Sequence, residues 1–183
     1  MPDDPAPNLA LASLREAQGD ASGALEQYTR AIKKRPSMET LSKQGYLLSQ
    51  ASRLDEAAKV LNQVLSKEFD PTTAAELGFV RFRQKNLDDA SALLKKALRK
   101  SPQLMVAHYY LGAVQYQQGE LKSARESYLE ADRLGADDPR ALLALCEMEA
   151  QTGAATLDET RRKISARFPS DAPAMLTRCS SGP

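Results

Sequence analysis

Several kinds of residue are scarce in this sequence, and each scarcity narrows what the protein does. Tryptophan is absent and aromatic residues make up only 5% of the 183 residues, so any clustering of the rings is informative. The formal net charge is +1, which gives no global field that draws nucleic acid or an anionic membrane. No apolar run approaches the roughly 18 residues that cross a bilayer. We therefore expect no nucleic-acid partner and no membrane insertion.

Cysteine is nearly absent as well, with only Cys146 and Cys179 in the chain. Two cysteines do not make a disulfide framework, and such sparse usage fits a reducing compartment without excluding the periplasm. Cys146 lies in an apolar helical stretch and is predicted to be a small core residue, whereas Cys179 lies in the tail. The compartment stays unknown, with the cytoplasm as the default and the periplasm open if the chain is a fragment of an exported protein.

The sequence also lacks the motifs that mark catalytic and metal sites. It contains no CxxC, HExxH, Gly-rich phosphate loop or EF-hand loop. The single histidine, His108, has no Ser, Cys or carboxylate partner in a recognised motif. We therefore predict that the protein is not an enzyme, with no catalytic residues, no cofactor and no metal.

Two basic clusters are candidates for nucleic-acid or headgroup patches. They lie at residues 95–100 and 161–167, in the last turns of predicted helices, where the helix dipole favours cations. Neither cluster is interleaved with aromatic residues, as nucleic-acid readers commonly are. A solvated helix face is the reading that the sequence favours.

What is present is a small residue that recurs at a fixed pitch. In two parallel series, successive members are separated by 33, 33 and 34 residues. The series are Ala12, Gly45, Gly78 and Gly112, and Ala24, Ala57, Ala90 and Ala124. A period of about 34 residues is typical of an array of helix–turn–helix repeats. An ordinary helical bundle does not predict such a pitch.

Each repeat contains two amphipathic segments at helical spacing, and we find no strand pattern. The predicted helices are Asn8–Gln18, Ala21–Lys34, Glu39–Ala51, Leu54–Lys67, Thr72–Gln84, Leu87–Lys100, Leu104–Gln118, Leu121–Leu134, Arg140–Thr152, Leu157–Phe168 and Asp171–Arg178. We predict one array over residues 1–183. Its repeats lie at about 5–37, 38–70, 71–104 and 105–138, followed by an irregular fifth repeat at 139–169 and a capping helix and tail at 170–183.

These positions resemble the pattern of the tetratricopeptide repeat family, which has Leu-Gly in the first helix and small residues followed by an aromatic or Leu in the second. The fourth repeat supplies Leu111, Gly112, Ala124, Tyr128 and Ala131. In the second repeat Gln44 replaces the Leu before Gly45. The resemblance implies an all-α fold, a right-handed α-solenoid of antiparallel helix pairs.

The resemblance also implies that the first helix of each pair lines a concave groove. Five of the ten Phe and Tyr residues fall on that surface, and the alternative is that these rings fill the core between repeats. An aromatic groove is the kind of apolar patch that marks a binding site. The predicted groove residues are Lys43, Tyr46, Gln50, Phe79, Phe82, Arg83, Tyr109, Tyr116 and Gln117.

Among members of this family, some grip a terminal carboxylate with Lys, Asn and Arg. The matching positions here carry Leu9, Ser13, Ala75 and Phe79, so that clamp is absent. We predict a module that binds another protein or peptide in its groove, within a bacterial assembly, pilus, secretion or export complex. The alternative is a self-associating scaffold that forms homo-oligomers.

Overall fold

The computed structural model describes residues 4–180, and it is all-helical over that range, as predicted. The helices are α1 (Ala6–Ala17), α2 (Ala21–Lys34), α3 (Met38–Gln50), α4 (Leu54–Leu65), α5 (Pro71–Arg83), α6 (Leu87–Lys100), α7 (Met105–Gln117), α8 (Leu121–Leu134), α9 (Arg140–Thr152), α10 (Leu157–Arg167) and α11 (Ala172–Arg178). Every predicted helix is present, and the observed ends lie within two residues of the predicted ends. Residues 1–3 and 181–183 of the predicted array lie outside the described residues.

Several helices begin at a residue that satisfies their free backbone amides. The side chain of Asp20 accepts a hydrogen bond from the backbone N–H of Gly23 at 2.8 Å at the start of α2. Asp70 does the same for Thr73 at 2.6 Å at the start of α5. Such caps stabilise a helix by about 1 kcal/mol, so the sequence positions these helix ends locally.

The turn inside each helix pair contains one residue with a positive φ angle. The angles are 76° at Gly19, 59° at Ser52, 65° at Lys85, 78° at Gly119 and 65° at Gly153. This conformation costs a residue with a side chain about 1–2 kcal/mol. Glycine therefore suits the first, fourth and fifth turns, whereas the second and third turns hold strained residues.

The described chain divides into two compact units, residues 4–93 and 94–180, with the division inside α6. In unit 1, helices adjacent in sequence pack against each other from α1 to α5. The recurrent small residues Ala12, Ala24 and Ala57 are fully buried there. A side chain at Gly45 would place its Cβ 2.5 Å from Cδ2 of Leu61, so only glycine fits this approach of α3 to α4.

Unit 2 has the same construction. Adjacent helices pack from α7 to α11, around a core that includes Tyr128, Leu142, Leu145 and Ile164. A Cβ at Gly112 would lie 2.7 Å from Cδ1 of Tyr128. The small residues therefore permit close helix approach in this unit as well.

The two cysteines form a disulfide bond, a pairing that was not predicted from the sequence. Cys146 is buried in the core, as predicted, but Cys179 is buried too. The two Cα atoms lie 5.5 Å apart and the sulfur atoms are bonded. The bond arises because α11 packs back on the core of unit 2 through Ala172 and Met175, which brings the residue after the helix to α9.

Candidate partner-binding surface

In unit 1, two of the predicted groove residues line a surface cavity between α3 and α5. Lys43 and Tyr46 border a cavity of about 190 Å³ together with Ser42, Leu61, Thr72, Thr73 and Glu76. A second cavity of about 640 Å³ shares Ser42, Lys43, Thr72 and Thr73 and extends to Met38, Phe69 and Pro71. Tyr46 and Met38 are large hydrophobic residues with 42% and 40% of their surface exposed. This side of unit 1 therefore offers a recess beside solvent-accessible apolar groups.

Two polar contacts between side chains lie beside these cavities. Nζ of Lys43 lies 3.4 Å from Oε1 of Glu39, one turn earlier on α3. The hydroxyls of Ser42 and Thr73 are hydrogen-bonded at 3.0 Å and join α3 to α5. The hydroxyl pair thus joins the two helices that border the smaller cavity, which Tyr46 and Leu61 also line.

On α5, three further predicted residues lie together. The rings of Phe79 and Phe82 are stacked with centroids 6.4 Å apart, and both are half-buried. The guanidinium carbon of Arg83 lies 5.7 Å from the centre of the Phe79 ring, and its Nη2 donates to the hydroxyl of Ser52 at 3.1 Å. Gln50, at the end of α3, is exposed. Part of each phenylalanine thus remains accessible to a ligand.

In unit 2, Tyr109 packs against the core and is only partly exposed to solvent. Its ring lies 6.1 Å from that of Tyr128 and 5.6 Å from that of Tyr110, and the guanidinium of Arg140 lies 5.8 Å from its centre. Burial raises the pKa of the Tyr109 phenol, because loss of water disfavours the charged phenolate. The alternative reading, that the rings fill the core, therefore has support at this position.

Tyr116 is also half-buried against the core of unit 2, and its hydroxyl donates to Oε1 of Gln151 on α9. Gln117, the next residue, is exposed. Nearby on α9 and α11, Glu147 and Arg178 form an ion pair at 2.7 Å. In unit 2, Tyr116 is thus partly exposed with its hydroxyl bound to α9, and Gln117 beside it is exposed.

Other features bear on chemistry. Nε2 of His108 donates to the carbonyl oxygen of Pro102 at 2.9 Å, so this histidine has a local structural contact. Among residues 4–180, no group of three or more His, Cys, Asp or Glu residues is placed to hold a metal ion. None of the helices in that range is long and apolar enough to cross a membrane.

The structure adds residues that sequence reasoning missed. Met38, Phe69 and Pro71 line the larger cavity of unit 1. Phe69 lies in the loop before α5, outside any helical periodicity, and Met38 begins α3, one residue before the predicted start of that helix at Glu39. Large apolar residues beside a helix boundary are the available signal, and it is a weak one.

A family model described as tetratricopeptide repeat matches residues 9–73 and 76–139. No curated protein matches the chain in sequence. Among solved structures, a thermophilic TPR protein of Thermus thermophilus is 24% identical with a TM-score of 0.80, and the match covers 96% of this chain and 97% of that chain.

Two further solved structures are similar in fold. PilW, described as a widely conserved type IV pilus biogenesis factor, is 20% identical with a TM-score of 0.82, covering 96% of this chain and 84% of its own. YrrB, described as a TPR protein with an unusual peptide-binding site, is 16% identical with a TM-score of 0.65, covering 96% and 92%. At these identities the likeness shows the fold alone.

Proposed function

Because the chain belongs to the tetratricopeptide repeat family, we propose that it is a non-catalytic module that binds another protein. Arrays of this kind use their repeated surfaces to bind partners. The observation that carries the proposal is the recess between α3 and α5, where exposed Tyr46 and Met38 flank two cavities. A peptide, a helix or a partner domain is the expected ligand.

The proposed contact residues of unit 1 are Lys43, Tyr46, Gln50, Phe79, Phe82 and Arg83, with Tyr46, Phe79 and Phe82 as the apolar anchors. Those of unit 2 are Tyr109, Tyr116 and Gln117. Burying one large ring against a ligand contributes roughly 1.5–3 kcal/mol. Two or three such anchors contribute roughly 3–9 kcal/mol, which offsets part or all of the association cost of about 4–15 kcal/mol, so further apolar and polar contacts are needed for tight binding. Arg83 and Lys43 are proposed to orient the ligand through polar contacts.

The proposed setting is a bacterial assembly, pilus, secretion or export complex. The likeness in fold to PilW supports the pilus among these settings. The disulfide between Cys146 and Cys179 supports an oxidising compartment such as the periplasm, because cytosolic reductants keep thiols reduced. For the same reason, the disulfide argues against the cytoplasmic localisation that was expected by default from the sequence.

Affinity capture from the source cells tests the proposal. The wild-type chain and a Tyr46→Ala/Phe82→Ala variant are immobilised, and bound proteins are quantified by mass spectrometry. We expect at least one protein that the wild type retains and the Tyr46→Ala/Phe82→Ala variant loses. A control variant, Lys95→Ala, which changes an exposed residue of α6, should retain that protein. An identical set of bound proteins for all three chains would contradict partner binding at the proposed surface.

Self-association is the second candidate function. It is favoured by Leu11 and Leu14 of α1, which have 38% and 53% of their surface exposed. Light scattering during size exclusion over a concentration range measures the mass. A mass above the 20.0 kDa monomer that returns to the monomer in a Leu14→Glu variant supports the scaffold, and a strict monomer rejects it.

A further inference from the structure

A second recess lies on the other helices of unit 1, between α2 and α4. Two cavities of about 450 and 350 Å³ share Leu25, Thr29 and Arg53. We call this recess the α2–α4 groove. None of the nine predicted groove residues lines it.

The floor of the α2–α4 groove is where the sequence departs from the family pattern. The residue before the small residue of the first helix is Leu77 in the third repeat and Leu111 in the fourth, and both are buried. In the second repeat that residue is Gln44, which lines the groove. In the second repeat, a polar amide at the floor of the α2–α4 groove thus takes the position of the buried leucine of the third and fourth repeats.

The amide of Gln44 is positioned and still has hydrogen-bonding capacity. Its Nε2 donates to the hydroxyl of Thr29 at 3.0 Å, and that hydroxyl donates to the carbonyl oxygen of Leu25 at 2.8 Å. Among the described residues, nothing donates to Oε1 of Gln44. The rest of the floor is apolar, because Leu25 and Val60 pack on the core of unit 1.

The walls of the groove carry unpaired positive charge. Arg30 pairs with Glu26 at 2.5 Å and Arg53 with Glu56 at 2.7 Å. Lys33 on α2 and Lys59 on α4 also line the groove, and within the described range neither forms an ion pair. The apolar residues of the groove are therefore accompanied by one lysine without a counter-charge on α2 and another on α4.

We propose that the α2–α4 groove binds an acidic amphipathic helix of a partner protein. Its apolar side chains lie on Leu25 and Val60, its carboxylates pair with Lys33 and Lys59, and a polar side chain donates to Gln44. Helix-in-groove recognition of this kind uses one apolar face flanked by charges. Nucleic acid fits less well, because a phosphate backbone offers no apolar face to cover Leu25 and Val60.

A displayed library of 16-residue peptides, built from Leu, Ala, Gln, Glu and Lys, is the probe. Selection on the immobilised full chain should enrich Glu over Lys, and the selected peptides are then titrated by fluorescence anisotropy. A Lys33→Glu/Lys59→Glu variant should weaken binding about ten-fold or more, as reversal of close charge pairs does. Lys67→Glu, a single charge reversal at an exposed lysine that lines neither cavity, should leave affinity within about two-fold.

Two more variants separate this site from the proposed groove of α3 and α5. Tyr46→Ala/Phe82→Ala should leave binding of the selected peptides unchanged, and Gln44→Leu should weaken it with a cooperative melt retained. If Gln44→Leu does not fold, the Lys33→Glu/Lys59→Glu variant still tests the site, because both of its changes are at exposed positions. The inference is overturned by selection without Glu enrichment, by equal loss in Lys67→Glu, or by peptides that ignore the lysine reversals. Binding of duplex DNA or anionic vesicles in place of peptides, lost on the same reversals, overturns it too.

Discussion

The approach of paired helices depends on single residues that have no side chain, and Gly112 is the sharpest case. The ring of Tyr128, which is buried, covers it so closely that a Cβ would lie within 2.7 to 3.0 Å of three ring carbons. A rigid ring cannot move aside as a flexible side chain does. Leu61 plays the same part over Gly45 with a more adaptable side chain.

We therefore expect Gly112→Leu to lower the free energy of unfolding by about 1–3 kcal/mol through overpacking. Thermal and urea unfolding followed by circular dichroism measure the loss. Ala166→Leu, a similar enlargement at an exposed position of α10, should change stability by about 0.5 kcal/mol or less. Equal melting of the two variants would show that α7 and α8 do not pack in this register.

At the scale of elements, the turns within helix pairs differ in strain. Lys85 holds φ at 65° between α5 and α6, where Gly119 serves between α7 and α8 at 78°. The same turn conformation is thus held without strain by glycine in one repeat and with strain by lysine in another.

Replacing Lys85 by Gly should raise the free energy of unfolding by about 0.5–1 kcal/mol, because relief of the left-handed strain exceeds the added entropy of the unfolded chain. The matched change Lys95→Gly, on the exposed face of α6, should lower stability by about 1 kcal/mol. Urea unfolding of both variants gives the comparison. A destabilised Lys85→Gly would mean that the turn does not hold this conformation in solution.

The last element, α11, is joined to the core of unit 2 by the disulfide and by buried Met175. A bond that closes a loop with a sequence separation of 33 stabilises the fold by about 3–4 kcal/mol through the unfolded state. Reductant should therefore lower the melting temperature of the wild type. It should leave a Cys146→Ala/Cys179→Ala variant unchanged, and a wild-type melt indifferent to reductant would argue that the bond is not formed.

At the scale of the whole molecule, the repeat pitch predicted the helix pairs because small residues at the helix contacts are a local, periodic requirement. The cysteine pairing was not predictable, since it depends on α11 turning back onto α9 and no periodicity records that. The prediction of a single array over 1–183 stays a prediction. The sequence contains one indication of the α2–α4 groove, which is Gln44 in place of Leu. Its role can be interpreted only when the position of its hydrogen-bond partner Thr29 is known.

The predicted binding surface shows the same limit. Periodicity places Tyr46 and Tyr109 on the same predicted face of their helices, one residue after Gly45 and three residues before Gly112, and their surroundings differ. Tyr109 meets the ring of Tyr128, whereas the equivalent second-helix residue near Tyr46 is Leu61, which leaves a cavity. Both the position of a ring along its helix and its neighbour on the second helix thus affect whether the ring packs or stays accessible, and face assignment alone includes neither.

The most direct test of the account is the dissociation constant of the captured partner for the Tyr46→Ala variant, measured by titration calorimetry beside its thermal melt. We predict a loss of about ten-fold or more, from an anchor worth roughly 2 kcal/mol, with the melting temperature close to that of the wild type. Tyr109→Ala should instead lower the melting temperature, since its ring packs on the core of unit 2. An unchanged dissociation constant for Tyr46→Ala would contradict partner binding at the surface between α3 and α5.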